Sequence, residues 1–149
     1  MMIERLLLAA VSASVLTGAS APVHRYAEGQ VWEYQTRAGD EGSLLKIQKI
    51  ETVPELAKTG AIYHVSIIGV HFGGQSKAGQ LQHAPFSKAS LDASVTKLSR
   101  STAAFPDATG GIAEWKEARG GVFTITVADA VTFVERTLRQ QMPPQQDVR

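Results

Sequence analysis

The chain has no cysteine among its 149 residues, which excludes disulfide frameworks, thiolate metal sites, thiol nucleophiles and attachment of a lipid to an N-terminal cysteine. It is also short of net charge. Fifteen Lys and Arg stand against 14 Asp and Glu, a formal +1, and Glu4 and Arg5 cancel within the first 21 residues. The remainder projects no strong field, so a nucleic-acid partner is not expected. Long apolar runs are scarce, and the one at residues 6–16 is too short to span a bilayer as a stable helix. Nucleotide and serine-hydrolase fingerprints are missing as well. Gly73-Gly74 and Gly110-Gly111 lack the strand-then-helix context of a phosphate loop and read as a turn and a helix start, and no G-x-S-x-G elbow is present.

What is there begins with an address. Met-Met-Ile-Glu-Arg leads into the apolar run of residues 6–16, and Gly18-Ala19-Ser20-Ala21 follows with small residues. That is the three-part pattern of a secretory signal peptide over residues 1–21, with cleavage after Ala21 or, because Pro22 sits badly just beyond a cleavage point, after Ala19. A buried helix of the domain is the competing reading, but the run is apolar all round and has no amphipathic stripe. The expected location is periplasmic or secreted, with no membrane span left once the signal is removed. The lack of cysteine is compatible with this, because a single domain over residues 22–138 is long enough to build a core without bridges.

Within that domain the hydrophobic period starts at two and ends near 3.6. Val31, Trp32 and Tyr34, the polar turn 37–43, and the resumed pattern 44–51 predict a β-hairpin. Residues 52–60 predict a loop or a single helical turn. Residues 61–72 predict a strand with Tyr63, Val65 and Ile67 on one face, His64 and Ser66 on the other, and a bulge where the alternation breaks at Ile67-Ile68. A return strand over 80–84 is expected to stop at Pro85. Leu91, Val95 and Leu98 then recur at helical spacing behind Ser87 as N-cap, with Phe86 stapled to Leu91. A helical segment follows Phe105-Pro106-Asp107, carries Ile112 and Trp115, and closes at Gly120-Gly121. A strand is expected at 122–125. A last helix capped by Thr126 and Asp129 is expected to run through Leu138, its inner face being Ala130, Val131, Val134 and Leu138. Residues 139–149 are too polar and proline-broken to bury much and read as a disordered tail. The fold class is therefore α+β: a small antiparallel sheet of about four to five strands with two to three helices packed on one face.

Chemistry-bearing residues are few. His64 and His71 are seven apart, which in an unbroken strand separates them by roughly 23 Å on opposite faces, so no metal site and no cofactor are expected. Trp32, Tyr34, Arg37, Asp40, Glu41 and His64 are the candidate binding residues. Aromatics and charges on a hairpin and its neighbouring strand are where a rigid scaffold displays contact groups. Trp32 has the competing reading of a core residue.

The stretches Gly29-Gln-Val-Trp-Glu-Tyr34, Arg37-Ala-Gly-Asp-Glu-Gly-Ser43 with Leu45-Lys-Ile-Gln-Lys-Ile-Glu51, His83-Ala-Pro-Phe-Ser87 and Leu91-Asp-Ala-Ser-Val-Thr96 together resemble a group of short uncharacterised bacterial exported proteins. The resemblance implies that residues 25–138 are one unit and transfers no site. The functional expectation is a non-enzymatic protein-binding or inhibitor/immunity-type module of the envelope, meeting another envelope or secreted protein. The alternative is a small exported hydrolase with a carboxylate/histidine site drawn from Asp40, Glu41, His64 and His83.

Overall fold

The structure, a computed structural model, describes residues 23–73 and 75–142. The expected signal peptide and all but the first four residues of the expected tail lie outside these. Strands β1 (Val31–Tyr34) and β2 (Leu44–Glu51) form the expected hairpin, in register Trp32 to Leu45. A 3-10 turn (Pro54–Thr59) leads to β3 (Ile62–Val70) and β4 (Gly79–Ser87). Helix α1 (Lys88–Ser94), strand β5 (Val95–Ser99) and helices α2 (Thr109–Glu117) and α3 (Val127–Gln141) complete the chain. The strands make one antiparallel five-stranded sheet in the order β4-β3-β2-β1-β5, which is the α+β architecture expected. Among the described residues no helix is long and apolar enough to cross a membrane.

Alternation decides the two faces of the sheet. Trp32, Tyr34, Leu45, Ile47, Tyr63, Val65, Ile67, Ala84 and Phe86 point to one face and join Leu91 and Val95 with Val127, Ala130 and Val131 of α3 in a single core. Each Val, Leu, Ile or Phe among them contributes roughly 1.5–3 kcal/mol by leaving water. Ser87 caps α1 as expected by accepting the Ser90 amide, and Thr126 caps α3 by accepting the Asp129 amide. The ends of the two helices are tied by Ser94, whose Oγ accepts the Val127 amide at 2.9 Å. These two helices cover the core face. Helix α2 lies across the opposite face, against His64 and His83, so the sheet is covered on both sides.

Four expectations are corrected. The helix behind Ser87 stops at Ser94, and Val95 and Leu98 belong to β5, which pairs with β1. Val95 and Thr96 are β-branched, and the open hydrogen-bonding edge of β1 outweighs a helical spacing of three residues. Pro85 does not end β4. It sits on an edge strand where no ladder donor is needed, and its carbonyl accepts the Phe123 amide at 2.9 Å. Residues 122–125 form no strand, only one bridge between Phe123 and Phe86. Leu138 is 45% exposed, because the buried residues of α3, Val127, Ala130 and Val131, all lie in its first two turns.

Candidate functional site

The second face of the sheet carries polar side chains where strict alternation would not put them. In β2 the register to β3 slips between Ile47 and Lys49. Without that bulge Lys49 and Glu51 would share the core face with Leu45 and Ile47. With it, Ile50 turns to the core, and Lys49 and Glu51 arrive beside His64. A second slip, opposite Ser66, accommodates both Gln82 and His83 between Ala84 and Leu81. The result is a hydrogen-bonded chain. Glu51 Oε1 lies 2.9 Å from His64 Nε2, and His64 Nδ1 lies 2.7 Å from His83 Nε2. A carboxylate only accepts, so His64 Nε2 carries the proton. Neutral His64 then accepts at Nδ1, and His83 donates from Nε2.

Charge and burial agree with that assignment. His64 is fully buried, and loss of hydration is the main force holding its basicity below the ordinary value, against the pull of Glu51. His83 is pushed down to about 4, by desolvation first and by His64 second. Burial works to raise the pKa of Glu51, yet hydrogen bonds from Lys116 and His64 outweigh it and leave the pKa below its ordinary value. Lys116 Nζ sits 2.8 Å and Lys49 Nζ 3.6 Å from Glu51 Oε2.

Helix α2 closes over this chain. The Trp115 ring meets His64 edge-on, centroids 4.9 Å apart, and its Nε1 donates to the Gly121 carbonyl at 2.8 Å. Two glycines permit the approach. A Cβ at Gly111 would lie 2.7 Å from His83 Cβ, and one at Gly120 would lie 2.2 Å from Trp115 Cδ1. Between the Trp115 side of α2 and the 3-10 turn opens a cleft of about 420 Å³, lined by Glu51, Pro54, Leu56, Trp115, Lys116 and Arg119. Arg119 has φ +51, the left-handed region otherwise occupied in the described chain by glycines alone, and forms no ion pair among the described residues.

No family model, curated protein or solved structure matches this chain. Its chemistry is therefore read from its own geometry. The 2.7 Å between His64 Nδ1 and His83 Nε2 is spanned by a proton. Two bonds to a tetrahedral zinc would hold those nitrogens roughly 3.3 Å apart, and no group of three or more His, Cys, Asp or Glu among the described residues is arranged for a metal.

The candidate residues named from the sequence fall in three places. Trp32 and Tyr34 are each 6% exposed and belong to the core. The Tyr34 hydroxyl lies 2.7 Å from Ser43 Oγ, which donates to the Ile68 carbonyl. Arg37 and Asp40 form a separate ionic network: Asp40 accepts from Arg37 Nε and from the His71 amide, both at 2.8 Å, while Arg37 also pairs with Glu135 of α3. Glu41 is exposed in the hairpin turn and accepts the Gly39 amide. Only His64 reaches the second face. Of the alternative constellation, His64 and His83 do meet, but their carboxylate is Glu51; Asp40 lies instead beside His71, and Glu41 in the turn. Glu51 was legible only through a phase slip, Ile47 to Ile50 being three apart where a regular strand requires two.

Proposed function

We propose that this chain is a small exported, non-enzymatic binding module of the envelope, and that the cleft between the 3-10 turn and α2 receives a protruding segment of a partner protein. The observation that carries this reading is Arg119. A non-glycine residue in the left-handed region costs roughly 1–2 kcal/mol, and here the strained residue places a cation without an ion-pair partner among the described residues on the rim of a cleft, next to a tryptophan held by Gly120 and Gly121. Strain of this kind gathers where a side chain must be presented. Trp115, Pro54 and Leu56 offer apolar contact, and Arg119 adds a fork suited to a carboxylate. The ligand class is an extended peptide carrying Asp, Glu or a terminal carboxylate beside an apolar side chain.

A second reading, a carboxylate/histidine hydrolase, draws support from the Glu51–His64–His83 chain. It is the weaker one. Glu51 is neutralised by Lys116 and Lys49, and the hydroxyl of Ser66, two residues along β3 from His64, is committed to the Gln82 carbonyl at 2.6 Å.

Selection of a random-peptide display library on the purified protein, with Arg119→Gly as counter-target, tests the binding reading. Enriched peptides should carry an acidic group beside an apolar residue and lose affinity by about tenfold or more on R119G, the equivalent of one charge-assisted contact. R119G should melt at the same temperature or higher. Peptides that bind both proteins equally, or no enrichment at all, would remove the cleft from consideration.

A further inference from the structure

The hydrogen-bonded histidine pair counts protons. In the neutral state the chain from Glu51 to His83 holds one proton in each of its two bonds. A further proton enters at His83 Nδ1, the nitrogen not used in the chain. The His83 Nε2 proton then passes to His64 Nδ1, which leaves an imidazolium on His64 beside the Glu51 carboxylate. The 2.7 Å bond survives, reversed in direction. A second added proton has no such place. Both imidazoles are then cations with N–H facing N–H across that same gap, and the bond must open.

The surroundings determine what moves. The charged groups nearest the pair are Glu51 and Lys49 on β2 and Lys116 on α2; the 100–108 crossover adds the Pro106 carbonyl, which accepts from Gln48 and Ser66, and the Asp107 carbonyl, which accepts from Gln82. Gln82 and Pro85 of β4 are uncharged. His64 and His83 stand on strands paired to each other along nearly their whole length, whereas α2 is a nine-residue helix held to the sheet by Trp115 against His64, the Lys116–Glu51 ion pair and the close approach of Gly111 to His83.

We infer that the Glu51–His64–His83 chain is an acid-sensitive latch, which holds α2 on the sheet while at most one histidine is protonated and releases it when both are. Because α2 supplies Trp115, Lys116 and Arg119, release dismantles one wall of the cleft; the consequence for ligand binding rests on the proposed binding role, the latch itself does not. Desolvation of both rings keeps the second proton out until the medium is distinctly acidic.

Hydrogen–deuterium exchange of the protein at pH 7 and near pH 4, with rates corrected for intrinsic pH dependence, tests the latch without any ligand. In the wild type, amides of α2 should lose protection at the lower pH while those of α3 keep theirs. In His83→Gln, whose amide can still donate to His64, α2 should stay protected. Loss of protection in α2 and α3 together, an α2 that stays protected in the wild type, or an H83Q protein that opens like the wild type would each overturn it. The comparison of α2 with α3 in the wild type stands even if H83Q fails to fold. A latch confirmed alongside an empty peptide selection would discard the cleft's role alone.

Discussion

Asp40 shows how a turn residue that looks solvated in sequence becomes an anchor. Its side chain is 2% exposed and accepts from Arg37, two charges held together on the hairpin turn, and from the His71 amide that begins the β3–β4 connection. Arg37 continues the network to Glu135, whose other oxygen accepts from the Gly73 amide and from Arg139. The hydrogen bond from Arg37 is the first reason the Glu135 carboxyl stays ionised below its ordinary value, the Gly73 amide the second. Removing one member of a buried ion pair leaves its partner uncompensated, which typically costs about 3–5 kcal/mol. Asp40→Ala should lower the free energy of unfolding by about 3 kcal/mol in urea titration. A loss under about 1 kcal/mol, the range of an exposed pair, would mean that the network is dispensable. Nothing in the local pattern Gly-Asp-Glu-Gly distinguishes Asp40 from Glu41; only the arrival of His71 and Arg37 does.

At the scale of elements, β5 is the instructive case. It occupies an edge of the sheet, five residues long, and edges invite pairing with other chains. Its brevity and Lys97, exposed at its centre, are the usual protections. Lys97→Ile should leave the fold intact and produce concentration-dependent self-association in sedimentation velocity; a variant that stays monomeric at high concentration would show that β5 is shielded in another way. The same element explains a misreading of the sequence. Leu91, Val95 and Leu98 satisfy a helical period, yet α1 spends only its seven residues on that pattern before the chain extends. A period seen across a helix-to-strand junction carries no memory of which element each residue joins. The caps, by contrast, are local chemistry, and Ser87 and Thr126 were both readable.

For the molecule as a whole, stability should follow pH in two separate steps. His64 and His83 have folded-state values below the ordinary 6.5, the latter about 4. Their neutral forms therefore contribute stability that is complete above about pH 6.5 and is lost as pH falls toward 4. Glu51 and Glu135 lie below the ordinary 4.5, so what they contribute is present above that value and is lost only beneath it. The melting temperature should fall between pH 6.5 and 4.5 through the histidines, then more steeply below. Replacing His64 and His83 together by Gln should flatten the upper step and spare the lower. A wild-type melting temperature constant from pH 6.5 to 4.5 would contradict the burial of the pair.

Composition and local pattern determined the α+β class, the hairpin, the 3-10 turn, the caps of α1 and α3, and the alternation that turns His64 away from Tyr63 and Val65. These depend on neighbours in the chain, and one sequence contains them all. The tertiary structure decided the partners. The two register slips carried Glu51 and His83 to His64, the crossover laid α2 on the second face, and the close fit of Gly111 to His83 set the helix directly on the histidines, with Gly120 folded against its Trp115. Each is a long-range pairing, in which residues 13 to 51 positions apart in sequence come within contact of His64. The free energy that selects such a pairing lies in desolvation and hydrogen bonding between segments, not within any one of them.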